Sequence, residues 1–217
     1  MVLIVKQCEP ASLHLHRNTF GADFDGLDKT ELRSSLLAEQ GYLCAYCMKR
    51  IRYANKVKIE HYEARNKENE LQYSNLLAVC DGNEVMRNGY GKVNPKRFTC
   101  DTMKGEQKLH INPQSEMDIS TVYYDNQGKI YSTNKVFQED FDVRLNLNDV
   151  YGYLVNNRKA ALEPLMNKIK SLKPGQNALP LLKKLEKYCF TKNSEGEYPE
   201  YAGILQWYVM RQIRKHS

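Results

Sequence analysis

Residues 43–62 read LCAYCMKRIRYANKVKIEHY. Cys44 and Cys47 stand at the spacing by which one tight turn presents two thiolates to one metal ion. The alternation Lys56-Val57-Lys58-Ile59-Glu60-His61 then predicts a strand with Val57 and Ile59 turned the same way. On a regular strand Glu60 and His61 point to opposite faces, so the chain must bend there if both are to serve one cation. Downstream, NLLAVC ends at Cys80, and TCDTMKG at 99–105 carries Cys100 and Asp101. Four thiolates complete a tetrahedral zinc shell and leave no open position for chemistry. Ordinary buried thiols are the competing reading, since Cys80 and Cys100 have 19 residues between them. A loop insertion between paired elements can still unite them. A zinc so held would clamp the segment after Gly41, the 56–61 strand and a helix after Asp101, and its binding would contribute folding energy directly.

The residues around the thiols suit different work. Phosphodiester hydrolysis needs a base for water and a cation on the phosphate. His61 titrates near neutrality, as a general base should, and its ring could be aimed by a peptide carbonyl accepting from one nitrogen. Asn75 could fasten that neighbouring loop with its amide, cap a helix, or do both. Glu60 and Asp101 are oxygen ligands suited to magnesium or manganese. Arg65 and Lys104 are candidate phosphate contacts, one a fork and one a point charge. Solvated surface charge is the alternative for both.

Outward from this region, Thr30 predicts the cap of a helix over about 31–39, with Leu32, Leu36 and Leu37 on one face and Gly41 ending it. Residues 1–28 read as a strand followed by polar turns. Residues 71–80 read as a short helix with Leu71, Leu76, Leu77 and Val79 as core. The stretch 81–99 lacks any period and reads as a loop insertion. A short helix is expected from Asp101 to about Leu109, and a hairpin over 122–132 turned by Asp125-Asn126-Gln127-Gly128. Asn146 or Asn148 is expected to cap a helix reaching about Leu172, kinked or broken at Pro164. LKPGQ at 172–176 is a turn, and two amphipathic helices follow, the second over about 198–215. The fold class is α+β: a zinc-stapled module with its amino-terminal extension at 1–115, then the hairpin and a mainly helical docking lobe at 116–217. In that lobe Leu179, Leu182 and Leu185, and the face of Tyr201, Ile204, Leu205 and Tyr208, either pack on its own core or meet a partner.

The net charge of +6 is uneven: residues 41–110 hold 13 basic and 8 acidic side chains, whereas residues 1–40 hold 4 and 6. The excess coincides with the candidate site and favours a polyanionic substrate. The start MVLIVKQCEPASL is a poor signal peptide, and no run approaches a membrane span. With four of six cysteines in ligand-like positions, a reducing, cytoplasmic setting is expected, and Cys8 and Cys189 are read as free thiols.

Together, Cys44-x2-Cys47, Glu60-His61, Asn75-Leu76, Cys80 and Cys100-Asp101-x2-Lys104-Gly105 resemble the HNH, or ββα-metal, nuclease superfamily. The resemblance implies His61 as general base, Asn75 as the central asparagine, and Glu60 and Asp101 as ligands of the catalytic magnesium or manganese. Many relatives have histidine or asparagine at the position of Asp101 and a second short cysteine knuckle, both departures here. QGYLCAYCMKRI, IEHYEARN, YSNLLAVCDGN, TCDTMKG, LHINP, YYDNQGKIYS and LNLNDVYGYLVNNR further resemble the HNH nuclease subunit of Septu-type antiphage systems, some of them retron-associated. That likeness covers about residues 30–160. It implies an ABC-type ATPase partner subunit and, in retron-associated systems, a reverse transcriptase with its reverse-transcribed DNA. It implies DNA, or a host transfer RNA, as substrate. The alternatives are a non-catalytic zinc-ribbon nucleic-acid-binding module and a purely structural subunit. Both explain the cysteines but not Glu60, His61 and Asp101 framed together.

Overall fold

The computed structural model describes residues 1–54, 57–84, 94–173 and 175–216. Lys56 of the expected strand, positions 85–93 of the expected loop insertion and Pro174 of the LKPGQ turn lie outside the described residues. Among those described, helices dominate and two short antiparallel hairpins supply the sheet, a mixed α+β architecture.

The expected first strand is instead an extended segment, tied by Ile4 N to Pro113 O at 2.8 Å, and a short helix α1 (Ala11–Arg17) that Pro10 introduces. Proline fixes its own φ and lacks an N–H, which suits a helix start better than a paired strand. Helix α2 (Thr30–Glu39) forms where expected, burying Leu32, Leu36 and Leu37. Its N-cap position is Lys29 and not Thr30; Asp28 Oδ1, one residue further out, accepts from Thr30 N at 2.9 Å and from Thr30 Oγ1 at 2.7 Å.

Strand β1 (Lys58–His61) follows the predicted alternation. Its partner β2 (Leu76–Val79) corrects the helix expected over 71–80, of which only a single turn of 3-10 helix at Tyr73–Asn75 is helical. A short, wholly apolar run fits a buried strand or a buried helix equally by pattern, and pairing decides it. The register places Lys58 opposite Val79 and His61 opposite Leu76. The buried amide of Gln40 closes the other edge of β2, donating to Ala78 O at 2.8 Å and accepting from Ala78 N at 2.8 Å. Helix α3 (Cys100–Lys104) follows, shorter than expected because Gly105, at φ 53°, ends it. The two strands and α3 form a ββα unit.

After α4 (Glu116–Ser120), the expected hairpin forms from β3 (Val122–Tyr124) and β4 (Ile130–Ser132). Helix α5 (Lys135–Glu139) then runs into a wider turn at Asp140–Arg144. Helix α6 (Tyr153–Lys170) starts later than expected and continues through Pro164. Its N-cap position is Gly152, neither Asn146 nor Asn148, and Asp149 accepts from Tyr153 N at 3.2 Å and Leu154 N at 3.1 Å. Asn148 instead ties the hairpin, donating to Ile130 O at 2.8 Å.

Helices α7 (Leu179–Phe190) and α8 (Ala202–His216) pack on each other and on α6, and α8 also touches β3. Leu185, Tyr201, Ile204, Leu205 and Tyr208 are buried in a core shared with α2, β1, β2 and the second hairpin, and Leu182 is buried too. Of the two readings of these stripes, the burial of these six side chains favours packing within the chain, while Leu179 is half-buried. No described helix is long and apolar enough to cross a membrane.

Candidate metal centre and adjoining polar site

The first knuckle is built by its own backbone. Cys44 N donates to Lys49 O at 3.0 Å, Met48 N to Cys44 O at 3.0 Å, and Leu43 bridges Arg50. Lys49 N points at Cys47 Sγ from 3.4 Å, so that sulfur already has an N–H partner. Met48 sits at φ 62°, a left-handed conformation that costs a non-glycine residue energy and is held only where its surroundings demand it. Cys100 is in the same region at φ 54°, with its N–H fixed on Leu145 O at 2.9 Å. Ala45 N donates to Ala78 O at 3.0 Å, docking the knuckle on β2, which ends at Cys80's doorstep.

The four sulfurs converge. Cys44 and Cys100, Cys47 and Cys80, and Cys80 and Cys100 each stand 3.8 Å apart, and all four lie within 4.8 Å of one another. Sulfurs at tetrahedral corners about 2.3 Å from a central zinc are about 3.8 Å apart. A disulfide needs about 2.05 Å, and none of the cysteines forms one. All four are buried. Against the upward push of burial, hydrogen bonds from Cys100, Cys47 and Cys80 hold the Cys44 thiol well below its usual range. The Cys100 thiol is pushed well up, first by Cys44 beside it and then by Cys47 and Cys80. Thiols so crowded cannot all ionise without a cation between them. The donor set and spacing fit a structural zinc ion.

The oxygen donors lie on the same ββα unit. Glu60, on β1, is 5% exposed and lies beside Asp101, on α3 next to the metal ligand Cys100. Lys104, one helical turn on from Asp101 and 2% exposed, meets Glu60 Oε1 at 2.6 Å; Tyr46 Oη donates to the same oxygen at 3.1 Å. Burial and the adjacent Asp101 push the Glu60 carboxyl up to about 8.

His61 faces the other way, as strand geometry requires. Its Nε2 is 3.0 Å from Glu70 O, and its ring meets Phe24 edge-on at 4.5 Å. A carbonyl only accepts, so Nε2 carries the proton and Nδ1 keeps the lone pair. Burial holds the imidazole below its usual range, partly opposed by that hydrogen bond, so the ring is neutral near pH 7. Asn75 fastens the loop that supplies the carbonyl: Oδ1 accepts from Glu63 N at 2.8 Å, and Nδ2 donates to Glu63 O at 3.2 Å and Asn69 O at 3.5 Å.

Arg65 is engaged within the chain. Its Nη atoms form a bidentate pair with Asp25 at 3.0 and 2.7 Å, and its Nε donates to Glu70 Oε2 at 2.9 Å. Neither Arg65 nor Lys104 presents a free charge to solvent in this state. Among the described residues the four cysteines form the one cluster of three or more metal-ligating side chains; Glu60 and Asp101 make a pair, and His61 does not join it. Sequence reading missed Tyr46, Glu70, Phe24 and Asp25. Only Tyr46, between the two cysteines of the knuckle, had a local signal.

The chain is thus an α+β protein with a four-cysteine metal-binding cluster on a ββα-type module. No protein-family model and no curated protein sequence matches it.

Proposed function

We propose that this chain is a divalent-metal-dependent HNH-type endonuclease that hydrolyses phosphodiester bonds, with its site on β1 and α3 beside the zinc cluster. The Glu60–Asp101 pair carries this reading. Two neighbouring carboxylates, one of them buried, repel each other unless a proton or a cation lies between them. The Lys104 ammonium serves here, and such oxygen donors equally suit magnesium or manganese. An ion held there would polarise the scissile phosphate and stabilise charge developing on it. His61 Nδ1 would take the proton of the attacking water, with Glu70 O and Asn75 aiming the ring. Once Glu60 is engaged elsewhere, Lys104 loses its carboxylate and can turn to a phosphate oxygen; Arg65 can do so by releasing the exposed Asp25.

The family resemblance extends the proposal to the effector role in a cytoplasmic antiphage complex with an ABC-type ATPase subunit, and in retron-associated form with a reverse transcriptase and its reverse-transcribed DNA. DNA is the favoured substrate, and host transfer RNA the other. A second reading, a zinc module that does not cut, is favoured by one observation: the Lys104 ammonium occupies the Glu60 oxygen that a catalytic cation would take.

The two readings differ over the carboxylate pair. Manganese(II) titrated into zinc-loaded protein should bind at one site, and Glu60→Gln and Asp101→Asn should each weaken it by about tenfold or more. Zinc is favoured over manganese by the thiolates, so the cysteine cluster does not compete. Unchanged manganese binding in both variants would favour the non-catalytic module.

A further inference from the structure

An open groove of about 700 Å³ runs between β3 and α8, on elements that carry none of the residues of the hydrolytic site. Trp207, Arg211, Arg214 and Lys215 line it. They recur at i, i+4, i+7 and i+8 and so share one face of α8. The Arg211 guanidinium lies 5.4 Å from the Trp207 ring centroid. Across the groove Tyr123, 41% exposed, is stacked on Tyr131 at 5.3 Å with 18° between the ring planes. Phe190, 42% exposed, adds a third aromatic side chain to the lining.

Cations near the end of a helix are common on dipole grounds alone. Here three of them share a groove with accessible ring faces, and the described lining contains no aspartate or glutamate. A partner must offer negative charge repeated along its length and flat apolar faces between the charges. Single-stranded nucleic acid has both: phosphates for the cations and bases for the rings. A duplex hides its base faces, and an acidic protein surface offers nothing to stack. We propose that the β3–α8 groove binds a single strand of DNA or RNA without reading its sequence. This surface needs neither metal nor base and stands whether or not the chain hydrolyses its ligand.

The chain's single tryptophan lies in the groove, so its emission reports occupancy. Short oligothymidylate and oligouridylate strands are titrated into full-length, zinc-loaded protein without added magnesium or manganese, so hydrolysis does not intervene. Both strands should quench Trp207 saturably, a matched duplex should do so far less, and the tighter of the two strands identifies the sugar preferred. Arg211→Gln, Arg214→Gln and Lys215→Gln should each weaken binding and lower the log–log salt slope by about 0.7. Tyr123→Ala should weaken it about five- to hundredfold. The altered side chains are exposed, and zinc content checks the fold of each variant. Binding that leaves Trp207 emission unchanged and ignores these substitutions would overturn the assignment. So would failure of the folded protein to bind either strand, which would leave the groove to an acidic protein surface. Quenching and cleavage are read separately, so loss of one without the other distinguishes this surface from the hydrolytic site.

Discussion

Asn75 is 6% exposed, and its amide is shared among Glu63 and Asn69, both on the loop that brings the Glu70 carbonyl to His61. A side chain that holds a loop through both ends of its amide cannot be truncated quietly. Asn75→Ala leaves the Glu63 N–H and O without these partners, a loss of about 1–3 kcal/mol. The loop then no longer fixes which imidazole nitrogen carries the proton. Cleavage should therefore fall in Asn75→Ala while zinc content stays at the wild-type level. Urea denaturation, metal analysis and an activity assay on one preparation check this together. Full activity in the variant would remove Asn75 from the aiming of His61. At this scale the sequence was informative about identities and poor about partners. The four cysteines, Glu60, His61, Asn75 and Asp101 announce themselves by type and spacing. That Lys104 turns inward onto Glu60, and that Arg65 pairs with Asp25 forty positions away, depends on contacts no local pattern encodes.

Gly128 turns the β3–β4 hairpin at φ 94°, and a Cβ there would collide with the carbonyl oxygen of Val155 on α6. Its own carbonyl accepts from the buried Arg158 Nε at 2.6 Å, while Arg158 Nη2 donates to Leu147 O at 2.7 Å. Hairpin and helix are thus bolted by close backbone approach. Gly128→Ala should destabilise the protein by about 3 kcal/mol, from the strained φ and the lost approach together. The zinc shell, on other elements, should stay loaded. A denaturation midpoint unchanged by this substitution would show that the hairpin does not depend on its seat against α6. The hairpin was legible because alternation and a turn tetrad occur together. So was β1, and so were α2, α7 and α8, whose apolar positions follow a helical period. β2 was not, because Leu76–Val79 is buried at every position and has no alternation to read. The start of α6 was missed for a different reason: two asparagines precede the aspartate that accepts from its first N–H groups.

Across the whole molecule the zinc cluster joins parts far apart in sequence. Tyr201 N donates to Met48 O at 2.9 Å, and Gly203 N approaches Met48 Sδ at 3.3 Å, so the start of α8 hangs from the first knuckle. The core runs unbroken from α2 and the first hairpin to α8. Structural zinc binding is worth about 10–16 kcal/mol, comparable with the about 5–15 kcal/mol that stabilises a whole domain. Chelation, or Cys80→Ser, should therefore unfold the chain cooperatively, with helical circular dichroism lost from both halves in one transition. A metal-free protein that melts like the wild type would show the four thiols to be an ordinary part of the core. Beside that cluster lies the proposed hydrolytic site, with His61 on one face of β1 and the Glu60–Asp101 carboxylates on the other. Its most direct test is phosphodiester cleavage, with magnesium or manganese, by wild-type protein and by folded, zinc-loaded His61→Ala, each given supercoiled DNA and a transfer-RNA pool in the presence of the proposed ATPase subunit. Wild-type cleavage of one pool that falls by about 10²–10⁴-fold in the variant is the predicted result. Cleavage at the wild-type rate by His61→Ala, or none by the wild-type protein on either pool, would contradict it.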